Sequence, residues 1–250
     1  MLTFLYHTAL GRMILKILCQ PRLSVLAGRF LDTRASKVLI GPFVRKNHID
    51  LADFESHFSC FNDCFTRKIK PGRRVFATDP GALCAPCDGL LSVYRISDRT
   101  VLSVKQSRYT ITDLLMDDML ADRFTDGLCL VFRLCVDHYH RYSYFDDCIK
   151  GENVFIPGVL HTVRPVALSA YPVFVRNARE YTVMETAHFG TAAEVEVGAL
   201  LVGKICNLHG PGEHVRGEEK GCFCYGGSTI ILLLEKGSAS LLSPFEKNIG

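Results

Sequence analysis

Near its C-terminal end the chain sets two glycines in front of two hydroxyls: Phe223-Cys224-Tyr225-Gly226-Gly227-Ser228-Thr229-Ile230. A hydrophobic run, Ile230 to Leu234, follows at once. It is apolar, partly β-branched and short, so it reads as a buried strand. The glycines then lie at the sharp entry to that strand, where a backbone uses positive φ or a close approach by another group. On spacing alone Gly-Gly-Ser also suits an ordinary hairpin turn. Cysteines offer a second kind of chemistry. Cys84-Ala85-Pro86-Cys87 has metal or redox spacing, and Cys222-x-Cys224 adds two thiols, a set of four that would suit zinc. No helical pattern follows Cys87, as a thioredoxin-like site requires, so these read instead as buried thiols flanking Asp88. The chain carries no HExxH and no glycine-rich phosphate loop, and no metal is assigned.

Gly226-Gly227-Ser228-Thr229 resembles the self-cleavage motif of the phosphatidylserine decarboxylases. Further matches follow the order of that family: Phe61-Asn62-Asp63-Cys64-Phe65-Thr66-Arg67, Pro86-Cys87-Asp88-Gly89, Tyr139-His140-Arg141, and Glu196-Val197-Gly198-Ala199 followed by Val202-Gly203. The resemblance runs from about residue 60 to residue 234, with weaker likeness upstream. It implies a proenzyme that cuts itself between Gly227 and Ser228 into chains 1–227 and 228–250, which stay associated. It implies that Ser228 becomes a covalent pyruvoyl group, so that no diffusible cofactor is needed, and that phosphatidylserine is converted to phosphatidylethanolamine and CO2.

The chemistry implied is demanding. Ser228 would attack the Gly227 carbonyl, which no side chain crowds, turning the amide into an ester. A base must take the hydroxyl proton and donors must steady the oxyanion. Loss of the α-proton then expels the upstream chain, and hydrolysis yields pyruvoyl and ammonia. The family uses an Asp–His–Ser relay, and Asp88 matches its aspartate, although Asp-Gly alone is a common turn. In the family, Tyr-His-Arg is followed two residues later by a second histidine that serves the relay. Here that position is Ser143, and a serine cannot replace a near-neutral base. His140 matches the first histidine, which works at the pyruvoyl group during decarboxylation. His161 ranks first for the missing base: it opens Leu160-His161-Thr162-Val163-Arg164, where the family often has serine, as if the two had exchanged places. His140 serving both steps ranks second. His138, which would share a strand face with His140, ranks third. His188, His209 and His214 sit in loop contexts and read as solvated.

The elements that must position these groups follow from the pattern. Residues 2–19 read as one helix with Leu10, Met13, Ile14, Ile17 and Leu18 on a shared face and Arg12 and Lys16 elsewhere, ended by Gln20-Pro21. For a lipid substrate, such a helix suits a membrane interface as well as ordinary packing. Two or three short, basic helical patterns follow up to residue 58. Pro71-Gly72 marks a boundary, separating an N-terminal helical, membrane-associating region, 1–70, from a β-rich catalytic domain, 71–250. Strands are expected at Leu90 to Tyr94, Val101 to Val104, Leu128 to Leu134, Thr182 to Met184 and Ala193 to Val202, with a helix at Ile111 to Leu120. The fold class is mostly β (α+β), a sandwich or barrel-like domain with an N-terminal helical part.

Composition bounds the rest. With 250 residues and 48% hydrophobic content the chain can bury a full core. A net charge of +3 is too small to argue for nucleic acid. Eleven cysteines, an odd number, without a secretory signal read as free thiols in a reducing cytoplasm. No stretch approaches the ~18 apolar residues of a spanning helix. The expected partners are phosphatidylserine, a membrane surface at its cytoplasmic face, and a second copy of the chain in a homodimer. Two alternatives stand beside this reading: a pyruvoyl decarboxylase of another amine, and a non-catalytic lipid-binding relative.

Overall fold

The structure is a computed structural model. It describes residues 2–97, 100–104, 107–168, 170–200, 204–224 and 228–242, with backbone only for 2, 100–104 and 107–108. Tyr225, Gly226 and Gly227 therefore lie outside the described residues, as do Val202 and Gly203.

Helices come first: α1 (Leu2–His7), α2 (Ala9–Leu18), α3 (Pro21–Leu31), a 3-10 turn (Arg34–Leu39), α4 (Ile40–Lys46) and α5 (Phe61–Phe65). Strands follow: β1 (Leu90–Arg95), β2 (Thr100–Val104), β3 (Ser107–Thr110), β4 (Leu128–Leu134), β5 (Arg141–Ser143) and β6 (Cys148–Ile156). Short helices α6 (Ile111–Leu115) and α7 (Asp118–Arg123) precede β4, and α8 (Pro165–Leu168) and α9 (Val173–Arg176) follow β6. The chain then runs through β7 (Arg179–Thr186), β8 (Thr191–Val197), β9 (Ile205–Asn207), β10 (Gly212–His214), β11 (Glu219–Phe223) and β12 (Ser228–Leu234).

The fold is mostly β, as the sequence implies. A seven-stranded antiparallel sheet, ordered β1-β4-β12-β8-β7-β6-β10, carries a second sheet ordered β5-β11-β9. The arrangement is open and sandwich-like. Alternation along β12 explains why both faces are covered. Ile231 and Leu233 join Val195, Val197 and Val131 in a core that includes Leu5, Tyr6 and Leu15 of the first two helices. Ile230, Leu232 and Leu234 join Leu130, Phe132 and Leu134 in a second core with Tyr142, Tyr144 and Phe223 of the small sheet. A strand buried on both faces must be apolar throughout, which is why Ile230 to Leu234 is an unbroken hydrophobic run.

Two expected helices are broken. The pattern over 2–19 divides at Thr8, whose hydroxyl caps α2 by accepting the Gly11 amide at 3.0 Å. Gly11 lies so close to α1 that a Cβ there would sit 2.1 Å from the Phe4 carbonyl oxygen. The pattern over 111–120 divides at Met116, in the left-handed region at φ 55°, with Asp117 capping α7 through the Leu120 amide. Local capping by hydroxyl and carboxylate overrides the longer period in both places.

Candidate active site

The site begins with Asp88, in the turn before β1. Gly89 lies against β4: a Cβ there would meet the Arg133 amide and carbonyl and the Phe132 carbonyl carbon at 3.3 Å. Across β4, Ser228 pairs with Leu134. Ser228 and the Asp88-Gly89 turn thus flank one strand near the same level, two strand spacings of about 4.8 Å apart.

Asp88 is partly exposed. It takes a two-point hydrogen bond from Arg74, at 2.7 and 3.3 Å, and accepts the Tyr139 amide at 3.3 Å. The Arg74 guanidinium also lies 5.0 Å over the Tyr139 ring. Asp88 therefore fixes the backbone one residue before His140.

His140 is fully buried. Its Nδ1 lies 2.9 Å from the His138 carbonyl oxygen. A carbonyl only accepts, so Nδ1 carries the hydrogen, and that bond fixes the orientation of the ring. The same carbonyl accepts Arg67 at 3.1 Å, and Arg67 also donates to the Asp137 carbonyl at 2.8 Å. Arg67 is itself buried, with its guanidinium 4.6 Å over the Phe54 ring. Phe65 packs on His140 with ring centroids 4.1 Å apart. Arg141 donates to the Thr66 carbonyl at 2.7 Å. The segment Phe61 to Arg67 thus clamps the loop that bears the histidine. On the other side, the His140 carbonyl accepts the Phe223 amide at 2.9 Å, tying His140 to β11.

Ser228 is fully buried, and its Oγ has no hydrogen-bond partner among the described residues. Leu134, its partner across the ladder, belongs to the core shared with Tyr142 and Phe223. The Ser228 side chain therefore points into the layer between the two sheets. A cleft of about 540 Å³ opens at the Asp88 turn, lined by Arg74, Cys84, Cys87, Asp88, Tyr139, Arg141, Ser143 and Glu219.

His161 stands elsewhere. It is buried under the first helices, with Nδ1 3.3 Å from the Tyr6 hydroxyl and 3.4 Å from Cys19 Sγ. Its ring stacks on Tyr171 at 4.7 Å. Asn177 holds its backbone from both sides, donating to its carbonyl at 2.8 Å and accepting its amide at 2.9 Å. Burial, aided by the Arg176 charge, lowers its pKa to about 4. Its neighbours Tyr6, Cys19 and Val163 belong to the core on the opposite face of the large sheet from the Ser228 side chain. His138 is half-buried, and its Nδ1 accepts the Cys135 amide at 3.1 Å.

The thiols do not gather as the sequence spacing suggests. Cys84 and Cys87 line the cleft, whereas Cys222 pairs across the ladder with Cys206 and Cys224 Sγ lies 3.9 Å from Cys206 Sγ. All eleven cysteines are free. Sequence reasoning also missed a buried charge set beside Ser228. Lys220 contacts Glu196 closely and Glu194 at 3.4 Å, all fully buried. Glu196 and Glu194 face Ile230 and Leu232 across the ladder. Burial pushes Glu196 up to about 7 although Lys220 draws it back. Burial opposes the charge on Lys220, yet the two carboxylates hold its pKa above the ordinary lysine value. Lys220 therefore stays cationic between the two carboxylates.

Comparison with known proteins agrees with the residues on the page. The phosphatidylserine decarboxylase family model matches residues 61–248. Phosphatidylserine decarboxylase proenzyme 2 of Clostridium acetobutylicum is 44% identical over 237 residues, covering 94% of this chain and 81% of that protein. The proenzyme of Ruminiclostridium cellulolyticum is 40% identical over 248 residues, covering 96% and 83%. That of Clostridium botulinum strain Langeland is 36% identical over 247 residues, covering 96% and 84%. Matched by the family model over most of its length and by relatives along nearly all of it, the chain belongs to the phosphatidylserine decarboxylase family.

Proposed function

We propose that this chain is the self-cleaving precursor of an enzyme that decarboxylates phosphatidylserine to phosphatidylethanolamine, with a pyruvoyl group made from Ser228. One observation carries the reading: a serine hydroxyl, fully enclosed and without a hydrogen-bond partner among the described residues, opens a buried strand on the face turned to the small sheet, to whose Phe223 amide the His140 carbonyl is bonded. A buried hydroxyl left unsatisfied costs free energy, roughly 1–3 kcal/mol, and calls for a reason. Chemistry on its own chain is such a reason.

In this reading His140 Nε2 takes the Ser228 proton as the hydroxyl attacks the Gly227 carbonyl. The His138 carbonyl, held by Arg67, keeps Nδ1 protonated and the ring in the basic tautomer. Asp88 orders the backbone at Tyr139 and so aims the ring. The pyruvoyl group, once formed, supplies the electron sink into which the substrate carboxylate loses CO2. Arg74 and Arg141, lining the cleft, suit the anionic head group. The exposed apolar row on α2 suits a peripheral position on the membrane surface that holds the lipid.

Intact mass tests the proposal. Wild-type protein should contain a fragment of residues 228–250 whose first residue is pyruvoyl, and Ser228→Ala should stay full length. A fragment with a free amino group at residue 228 would mean simple proteolysis and end the proposal.

A further inference from the structure

Between β9 and β11 the chain gathers three metal-ligand side chains that no step above uses. His209, His214 and Glu218 each offer one donor atom, and the three atoms lie within 4.8 Å of one another. His209 Nε2 is 3.5 Å from Glu218 Oε1, and His214 Nδ1 is 3.1 Å from Glu218 Oε2. An ion held tetrahedrally at about 2.1 Å spaces its ligands roughly 3.4 Å apart, so small side-chain rotations make the donors converge.

The surroundings already orient them. His209 Nδ1 meets the Tyr144 hydroxyl at 3.3 Å, which leaves Nε2 for the cluster. Metal-bound imidazoles use this arrangement, their second nitrogen fixed by an outer group. Tyr144 is fully buried and stacks on His214 at 4.4 Å and 5°. The two imidazoles lie 4.7 Å apart at 24°. Gly217, at φ 85°, turns the chain so that Glu218 Oε2 also accepts the Val215 amide at 3.3 Å.

His214 is not committed elsewhere either: its Nδ1 faces Glu218, and its Nε2 is buried with no hydrogen-bond partner among the described residues.

We propose that His209, His214 and Glu218 form a site for a divalent transition-metal ion of the zinc or cobalt kind. Two imidazoles and one carboxylate are a donor set such ions accept, with a further position left for water. The side chains of His209 and Glu218 are 30% and 35% exposed, so that position faces solvent. The ion clasps the turn between β10 and β11, and Gly217 and Glu219 on either side of Glu218 line the cleft. It therefore braces one wall of that cleft.

The test uses the full chain, stripped with a chelator, and cobalt chloride as the probe. One equivalent of Co²⁺ should bind and give the visible absorption of a four-coordinate ion. The near-ultraviolet sulfur-to-cobalt band expected from any of the eleven cysteines should be missing. His209→Ala and Glu218→Gln should each weaken binding at least about 10–100-fold, the range that outer partners alone command, and Tyr144→Phe should weaken it less. Circular dichroism checks folding, and the near-isosteric Glu218→Gln keeps the test valid if the alanine variant fails to fold. No uptake by wild type, uptake carrying the sulfur band, or uptake unchanged in Glu218→Gln overturns the proposal.

Discussion

His161 and His140 are both buried, but their neighbours prepare them for different work. Burial and Arg176 hold His161 at about 4, against 6.5 for a free histidine. Between those values the unfolded chain binds a proton that the folded chain does not. Stability therefore rises with pH across this window and is lost as pH falls from 6.5 toward 4, by on the order of 3 kcal/mol at ~1.4 kcal/mol per unit. His161→Phe keeps a ring against Tyr171 and removes the titration. Its denaturation midpoint should vary less between pH 7 and pH 5 than that of wild type; equal variation in both proteins would assign the effect to another group. His140 instead has its Nδ1 hydrogen held by the His138 carbonyl and its own carbonyl bonded to the Phe223 amide of the sheet that Ser228 faces. His140→Ala should leave full-length protein, with cleavage slowed about 10²–10⁴-fold, while His161→Ala should mature normally. Time courses on a denaturing gel distinguish them, and the opposite result would return the base to His161. The ranking of His161 first rests on an apparent exchange of serine and histidine with the family pattern. Such an exchange does not reveal which face of a sheet a residue meets, and the register of β12 with β4 does.

The first helices show the same limit at the scale of an element. The apolar row Leu10, Met13, Ile14 and Ile17 is legible in the sequence, but the structure leaves it outside, with Leu10, Met13 and Ile17 at 60%, 67% and 68% exposure. The side that packs inward is Gly11 and Leu15, with Tyr6 of α1 and Cys19 beyond. An apolar row left exposed beside Arg12 and Lys16 suits an anionic bilayer surface. Changing Leu10, Met13 and Ile17 together to Gln should lower sedimentation with phosphatidylserine vesicles and leave the thermal midpoint nearly unchanged, because no core contact is lost. Equal sedimentation by the variant would remove the membrane role from this face. Gly11→Ala should do the reverse, loosening the α1–α2 hairpin by roughly 1–3 kcal/mol, the usual cost of overpacking. β4 and β12 were legible because strands buried on both faces are long apolar runs. β5, β9 and β10 were not, since three-residue strands bearing arginine, cysteine and glutamate are fixed by their neighbours rather than by pattern. Arg67 stands in a quoted motif, but what it holds was not legible for a related reason: its partners are backbone carbonyls about 70 residues away, and carbonyls leave no sequence signal. His209 and His214, read as solvated, stack on Tyr144, another contact across distant segments.

For the whole molecule, the question is what self-cleavage would leave behind. β11 ends in the small sheet and β12 begins in the large one, so a cut between Gly227 and Ser228 severs a connection between two layers. Neither end depends on that connection for its place. β12 is hydrogen-bonded to β4 on one edge and to β8 on the other along nearly its whole length. Its side chains from Ile230 to Leu234 are at most 1% exposed and divide between the two cores. At roughly 1.5–3 kcal/mol for each buried aliphatic side chain, their transfer from water is worth on the order of 10 kcal/mol. Micromolar association needs about 8 kcal/mol. Both ladders add directionality, and withdrawing β12 would expose two new strand edges at once. The fragment 228–250 should therefore co-elute with 1–227 on gel filtration in native buffer and separate only in denaturant. Leu233→Ala, which empties a fully buried position at a cost of about 2–5 kcal/mol, should release the fragment at a lower denaturant concentration. A fragment that elutes alone from wild-type protein in native buffer would show that the connection, and not the sheet, held β12 in place.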